Sequence, residues 1–256
     1  MCFDLDSRPP ITPIAGGALD SERVTLTASD GNRFLAFRAR AAEPTGAGIV
    51  ILPDVRGLHP FFEELALRFA EAGIDAVAID YFGRTAGTDT TRDDEFGYRA
   101  HVDQATWTGL SADVRAGADV LRSDEARPVG ALFTVGFCYG GRLSFVSPTL
   151  GLGLAGAIGF YGVPAGTHYS GMPAPVEVAD AMSGSILGLF GGADPSIPAD
   201  AVAGFDAALA AAGVDHRLVT YPGAPHSFFD RKAAEHADAS TAAWSEVLEF
   251  IRARTA

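Results

Sequence analysis

Short apolar segments alternate with helical patterns along most of the chain, and this alternation constrains the fold more than any other feature. Residues 48–52 and 74–79 are largely apolar, which is typical of strands buried on both faces of a sheet. Residues 61–72, between them, have apolar side chains at helical spacing and end at Gly73, a common helix terminator. Further strands are predicted at 129–135, 155–160, 185–190 and 216–221, and further helices at 100–122, 198–212 and 231–252. Strands separated by helices require right-handed crossovers, so we predict an α/β fold with a mostly parallel central sheet and helices on both faces.

Two segments near the start of the chain, 23–28 and 33–38, have a different pattern because their apolar and polar residues alternate. A Ser-Asp-Gly-Asn turn signal at 29–32 separates them, which predicts an antiparallel hairpin. The chain has 256 residues, of which 48% are hydrophobic, and this suits one compact domain spanning 1–256. We expect residues 1–22 to be a loosely held N-terminal segment, and residues 162–184, rich in Gly, Pro and Ser, to cover the surface.

The charge balance limits the possible partners. The chain has 19 Lys and Arg against 32 Asp and Glu, a net charge of -13. Electrostatic attraction to nucleic acid or to an anionic membrane surface is therefore not expected. No signal-peptide pattern opens the sequence and no apolar run is long enough to span a membrane, so we expect a cytoplasmic protein. Two cysteines, Cys2 and Cys138, are too few for a disulfide framework and lie in no metal-ligand cluster, so no metal site is expected.

The predicted strand at 129–135 runs into the segment Gly-Phe-Cys-Tyr-Gly-Gly and then into a helix. This arrangement resembles the nucleophile elbow of the α/β-hydrolases, with sulfur in place of oxygen at Cys138. Glycines two residues before and two after the nucleophile are needed because a Cβ there would meet the neighbouring strand and helix. A helix N-terminus also favours the thiolate, and the N–H of Tyr139 points toward the same place, as an oxyanion donor would. The alternative is a glycine-rich turn with a buried cysteine, since free cysteines are often buried.

An elbow nucleophile requires an acid and then a histidine further along the chain, each in a loop after a strand. Asp194 follows the predicted strand at 185–190, and His226 follows the one at 216–221. Of the six histidines only His226 has this placement. His226 would accept the proton through one ring nitrogen while Asp194 fixes the tautomer through the other. Asp194 could instead be a turn-forming residue before Pro195.

These residues, together with the segments at 53–57, 80–84 and 226–228, resemble the dienelactone hydrolase family. The similarity extends from about residue 23 to residue 252, and the Cys138 elbow is its most specific element. The resemblance implies the α/β-hydrolase fold and hydrolysis of an enol-lactone or related activated ester. It also implies that Cys138 is the nucleophile, Asp194 the orienting acid and His226 the general base, with no metal or organic cofactor.

The resemblance extends to the loop after the first central strand. In the family a carboxylate in this loop contacts the resting thiol, and the matching residue is Asp54, one methylene shorter than the family's glutamate. Asp54 could equally be a helix-capping or solvated loop residue. The N–H of Val55 is then the second expected oxyanion donor.

The family's arginines for a substrate carboxylate are matched incompletely. Arg84 falls on the first position, whereas the second is Asp230, with Arg231 one residue later. Because an acid there would repel a carboxylate, the family's dienelactone substrate is in doubt for this chain. Arg56 is a candidate replacement charge or the partner of a surface acid. Phe82 is a candidate pocket residue, although aromatic residues at strand ends are more often core.

The sequence therefore predicts a hydrolase of lactones or activated esters that acts through a thioester acyl-enzyme. Two alternatives remain open, a broad-range carboxylesterase or thioesterase with the same three residues, and a non-catalytic small-molecule binder or thiol sensor. The expected partner is a small-molecule ester or lactone, and the chain is expected to be a monomer or a small homo-oligomer.

Overall fold

The structure is a computed structural model and describes residues 3–4, 6–89, 92–93, 96–168 and 170–255. Eight strands form one sheet in the order β1-β2-β4-β3-β5-β6-β7-β8. The strands are β1 (Ala18–Thr27), β2 (Arg33–Ala41), β3 (Ala47–Leu52), β4 (Asp75–Ile79), β5 (Ala131–Phe137), β6 (Gly156–Phe160), β7 (Ser185–Gly191) and β8 (His216–Tyr221). Strand β2 pairs antiparallel with both β1 and β4, whereas all pairs among β3 to β8 are parallel.

Helices connect the parallel strands and pack on the sheet. They are α1 (Pro60–Glu71), α2 (Gly83–Ala86), α3 (Tyr98–Val102), α4 (Trp107–Arg122), α5 (Tyr139–Val146), α6 (Ala199–Ala211) and α7 (Ala237–Arg252). Alternate residues of β3 enter two different hydrophobic cores, because successive strand side chains point to opposite faces. Ile49 and Ile51 belong to the core that contains the apolar residues of α1, and Val50 and Leu52 belong to the one that contains those of α4. The predicted α/β fold, a mostly parallel sheet with helices on both faces, is confirmed.

The N-terminal segment is more firmly held than expected. Strand β1 begins at Ala18, and its pairing with β2 includes Ser21 opposite Ala39 and Glu22 opposite Arg38. Phe3 is buried, its ring lies 5.7 Å from that of Tyr98, and the Arg56 guanidinium lies 4.6 Å from its centroid. The expectation of a loosely held segment over 1–22 was therefore wrong for these residues, because an aromatic side chain and main-chain pairing hold them to the domain.

Three other features differ from the prediction. The helix expected over 100–122 is two helices, because Thr106 accepts a hydrogen bond from Gly109 N and so caps a new helix. The segment 162–184 does not only cover the surface, since Met172, Ala174 and Met182 in it are buried. The last helix begins at Ala237 rather than at residue 231.

Candidate active site

Cys138 lies at the sharp turn between β5 and α5. Its φ and ψ are 53° and -109°, a backbone conformation that residues other than glycine rarely adopt, and α5 begins at the next residue. Its N–H donates to the carbonyl of Phe160, at the end of the adjacent strand β6, over 3.0 Å. Cys138 is half-buried, so the turn lifts the thiol out of the core without exposing it fully. Cys2 lies outside the described residues.

The glycines of the elbow are required by close backbone contacts. A Cβ on Gly136 would lie 1.8 Å from the carbonyl oxygen of Gly140, and one on Gly140 would lie 2.1 Å from that of Leu52. A Cβ on Gly141 would lie 2.5 Å from the carbonyl oxygen of Phe160. The predicted need for glycine two residues before and after Cys138 thus has a direct steric cause.

His226 and Asp194 form a hydrogen-bonded pair. Nδ1 of His226 lies 2.6 Å from Oδ2 of Asp194, and the aspartate is buried. The other carboxylate oxygen accepts the Ser196 backbone N–H at 2.9 Å and the Ser196 hydroxyl at 2.5 Å. Burial raises the pKa of Asp194, but the hydrogen bonds from His226 and Ser196 outweigh it and leave the pKa below its usual value. Asp194 therefore forms a turn, as the alternative interpretation had it, and is also hydrogen-bonded to His226.

Tyr161 lies beside the His226–Asp194 pair. It follows β6 with a φ of 40°, it is buried, and its ring lies 4.9 Å from the His226 ring. Burial raises the pKa of Tyr161 well above its usual value, and the negative charges of Asp230, Asp54 and Cys138 raise it further. The charges of Cys138 and of two carboxylates therefore act on a tyrosine whose ring lies beside the His226 imidazole.

The loop after β3 carries the proposed oxyanion donor Val55. Because β3 and β5 are adjacent parallel strands, this loop and Tyr139, the first residue of α5, lie at the same edge of the sheet. The Tyr81 hydroxyl donates to the Asp54 carbonyl over 2.7 Å, and Gly57 N donates to the same carbonyl over 3.2 Å. These bonds fix the peptide unit that contains the Val55 N–H.

Asp54 and Arg56, on either side of Val55, form a buried ion pair. Nη2 of Arg56 lies 2.8 Å from Oδ2 of Asp54, and Nε lies 3.0 Å from Oδ1. The guanidinium also donates to Asp230, four residues after His226, and to the Asp4 carbonyl. Arg56 is 3% exposed, so its positive charge is paired with two buried acids and does not face an open pocket. Asp54 is the partner of Arg56 rather than a solvated loop residue.

The remaining predicted substrate-binding residues, Arg84, Phe82 and Arg231, make other contacts. The Arg84 guanidinium binds Asp113 over 2.8 Å and also pairs with Asp30. Phe82 is fully buried, as the core interpretation had it, with its ring 5.7 Å from that of Phe96. Arg231 lines a cavity of about 480 Å³ whose other walls include Asp4, Asp6, Ser7, Arg8 and Asp230, but none of the three proposed catalytic residues.

Two residues near the site were missed by sequence reasoning. Ser196 could have been found from its place two residues after Asp194, the spacing of an aspartate turn. Arg142 is buried and donates to the main-chain carbonyls of Val163, Ala165, Gly166, Met172 and Pro173, at distances from 2.7 to 3.4 Å. No local sequence pattern predicts these long-range contacts.

Within the ranges that the structure describes, no group of three or more His, Cys, Asp or Glu side chains is placed to hold a metal ion. In the same ranges no helix has the length and apolar character needed to cross a membrane.

A strained turn with a nucleophilic side chain at the end of a central parallel strand, followed along the chain by an acid and a histidine after later strands, defines an α/β-hydrolase. The sequence model of the dienelactone hydrolase family matches residues 36–255, and the chain belongs to this family of carboxylic ester hydrolases. The family predicted from the sequence is confirmed.

Known relatives match almost the whole chain. The carboxymethylenebutenolidase of Rhodococcus opacus is 30% identical over 264 aligned residues, which cover 98% of this chain and 96% of the relative. A crystal structure titled "Putative Dienelactone Hydrolase" from Klebsiella pneumoniae is 28% identical, with a TM-score of 0.74 and coverage of 91% of this chain and 99% of that one. A dienelactone hydrolase-like promiscuous phosphotriesterase from metagenomic libraries shares the fold, with a TM-score of 0.73 and 20% sequence identity. The match covers 91% of this chain and 98% of that chain.

Proposed function

We propose that this enzyme hydrolyses lactones or activated esters with Cys138 as nucleophile, His226 as general base and Asp194 as the acid that orients the histidine. The observation that carries the proposal is the hydrogen bond between His226 and the buried Asp194, at the sheet edge where the elbow presents Cys138. Membership in a family of carboxylic ester hydrolases supports the reaction class. The carboxymethylenebutenolidase relative supports a lactone among the substrates.

In the first half of the reaction His226 takes the thiol proton of Cys138, and the resulting thiolate attacks the carbonyl carbon and forms a C–S bond. The negative charge that develops on the carbonyl oxygen is stabilised by the N–H groups of Tyr139 and Val55. The C–O bond to the alcohol then breaks, and protonated His226 gives its proton to the departing oxygen. The product of this half is a thioester on Cys138.

In the second half His226 takes a proton from a water molecule, and the resulting hydroxide attacks the thioester carbonyl. The C–S bond breaks and returns the thiolate, while the acid product leaves. Asp194 keeps Nδ1 of the imidazole occupied, so that Nε2 carries out both proton transfers. A thiolate leaves more readily than an amine or a poor alkoxide, which favours activated esters and lactones over amides.

An assay of one lactone, one aryl ester and one acyl thioester tests the proposal. Cys138→Ala should abolish hydrolysis of all substrates that the wild type accepts, while Cys2→Ala, the same substitution at the other cysteine, should retain it. The preferred substrate separates a lactone hydrolase from a broad carboxylesterase or thioesterase. Hydrolysis by Cys138→Ala at the wild-type rate would refute the proposal, and absence of any turnover by the wild type would favour a binder or thiol sensor. The cytoplasmic location and the small oligomeric state stay predictions.

A further inference from the structure

Three charged side chains form a buried cluster with an excess of negative charge. Asp54, Arg56 and Asp230 are exposed by 3%, 3% and 5%, and the single guanidinium binds both carboxylates. One positive charge is therefore shared between two acids, which we call the 54–56–230 cluster. Charges this far from water are weakly screened, so the cluster acts on its surroundings over a longer distance than surface charges do.

The 54–56–230 cluster is adjacent to the proposed reaction centre. Asp54 and Arg56 flank Val55, the proposed oxyanion donor, and Asp230 lies four residues beyond His226. The negative charges of Asp230, Asp54 and Cys138 raise the pKa of the buried Tyr161 hydroxyl, and the positive charge of Arg56 lowers it. The Tyr161 ring lies 4.9 Å from the His226 ring, so the cluster and the proposed general base share one buried neighbour.

The net charge of the 54–56–230 cluster depends on whether Asp230 is ionised. Burial raises the pKa of Asp230, whereas the Arg56 charge lowers it, and the net result is a raised pKa. The pKa of Arg56 is raised by its two acidic neighbours although burial opposes this, so the guanidinium keeps its proton. With Asp230 ionised the cluster has a charge of -1, and with Asp230 protonated it is neutral. In neither state does it offer a positive charge to a substrate.

Other arginines near the sheet edge are also committed to protein partners. Arg84 binds Asp30 and Asp113, and Arg92 binds the buried Asp80. Arg142 donates to main-chain carbonyls of the segment 163–173. The remaining candidate, Arg231, lines a cavity in which three carboxylates, those of Asp4, Asp6 and Asp230, outnumber the two guanidinium groups of Arg8 and Arg231.

We propose that the enzyme selects esters and lactones that carry no negative charge, and that the 54–56–230 cluster disfavours substrates with a carboxylate. This inference rests on the proposed function and adds the substrate class to it. A carboxylate in the pocket would meet no unpaired positive charge from the cluster, and with Asp230 ionised it would meet a net charge of -1. It could bind Arg56 only by displacing Asp54 or Asp230 from an established ion pair. Like charges brought together in a site of low dielectric raise the free energy of the complex.

Two matched pairs of esters test this inference on the wild-type enzyme. The first pair is the para-nitrophenyl half-ester of adipic acid and its methyl ester, which differ in charge only in the acyl part. The second pair is para-acetoxyphenylacetate and its methyl ester, which place the charge in the alcohol part. We expect kcat/KM to be at least about tenfold higher for the uncharged ester of each pair, after subtraction of the uncatalysed rate. The inference fails if the anionic ester of either pair is hydrolysed as fast as its neutral partner.

A variant assigns the selectivity to the cluster. Asp230→Asn removes the carboxylate whose ionisation gives the cluster its net negative charge and leaves Arg56 with a single acidic partner, so the preference for the uncharged ester should fall by roughly fivefold or more. Asp206→Asn makes the same change of charge at an exposed side chain beside His216 and should leave the preference unchanged. Equal effects of the two substitutions would mean that only the overall charge of the protein matters, and would overturn the role of the cluster. If the wild type hydrolyses neither ester of either pair, the proposed function itself fails.

Discussion

The imidazole Nδ1 of His226 lies 2.6 Å from Oδ2 of Asp194, and this contact joins the loops after β7 and β8. The same carboxylate is held from its other side by the backbone N–H and the hydroxyl of Ser196. The acid that orients the histidine is thus itself oriented, and its ionised form is stabilised in a buried place. Substitutions at Ser196, in the elbow and in the surrounding loops are each expected to have a distinct effect.

Ser196 is expected to act as a positioning residue. Ser196→Ala removes one hydrogen bond to an ionised carboxylate, worth about 1.5–3 kcal/mol, so kcat should fall by about tenfold or more. KM should change little, because Ser196 contacts Asp194 and not the substrate. Ser196→Thr keeps the hydroxyl and should recover most of the wild-type kcat. A Ser196→Ala enzyme with wild-type kcat would show that Asp194 does not need this donor.

Gly140 is expected to tolerate no side chain. In Gly140→Ala the new methyl group would lie 2.1 Å from the Leu52 carbonyl oxygen and 2.3 Å from that of Pro53, so the loop with Val55 must move. We expect a loss of stability of at least about 1–3 kcal/mol and a loss of activity of more than about a hundredfold. Gly204→Ala, in α6 with no atom within 4 Å of the new Cβ, is the matched control and should be neutral or stabilising by about 0.5–1 kcal/mol. Urea denaturation and ester hydrolysis measure both effects, and equal behaviour of the two variants would contradict the elbow geometry.

His168 is expected to reduce stability in acid. Its Nδ1 accepts the Ser170 N–H over 3.3 Å, and burial, assisted by the Arg142 charge, lowers its pKa to about 4. The unfolded chain binds a proton near pH 6.5 that the folded protein binds only near pH 4, so stability is present above this window and is lost as the pH falls through it. Because His168 is only half-buried, we expect this loss to be on the order of 1–2 kcal/mol.

The measurement for His168 is the difference in unfolding free energy between wild type and His168→Gln at pH 7 and at pH 4.5. The wild type should lose more stability than the variant on acidification, because glutamine does not titrate. A difference that stays constant between the two pH values would contradict the lowered pKa.

Arg142 is expected to hold the segment 163–173 against the domain. Arg142→Met removes hydrogen bonds to several main-chain carbonyls, including one of 2.7 Å to Gly166 and one of 3.0 Å to Ala165. These carbonyls would then lose the donor that ties them to α5, so hydrogen exchange of residues 163–168 should become faster. Arg142→Lys keeps the charge but not the planar fork of donors and should restore only part of the protection. Unchanged exchange in Arg142→Met would show that other contacts hold the segment.

Features with a local cause were predictable from the sequence. The elbow was predictable because Gly136 and Gly140 flank Cys138 in a strand-to-helix context, and Asp194 and His226 follow strands in the required order. The helix break at Thr106 was missed because a single capping side chain decides it. The position of Arg56 could not be predicted, because its second partner, Asp230, lies 174 residues away in sequence and only the folded sheet brings them together.

The central claim is that acyl transfer passes through the sulfur of Cys138. The most direct measurement is mass spectrometry of the enzyme after rapid acid quenching during turnover of a para-nitrophenyl ester, followed by peptide mapping. We predict an added acyl group on the peptide that contains Cys138, formed at the rate of the para-nitrophenol burst and lost at the steady-state rate. An enzyme that turns over the ester with no acyl group on Cys138, or a Cys138→Ala variant that retains wild-type kcat/KM, would contradict the account.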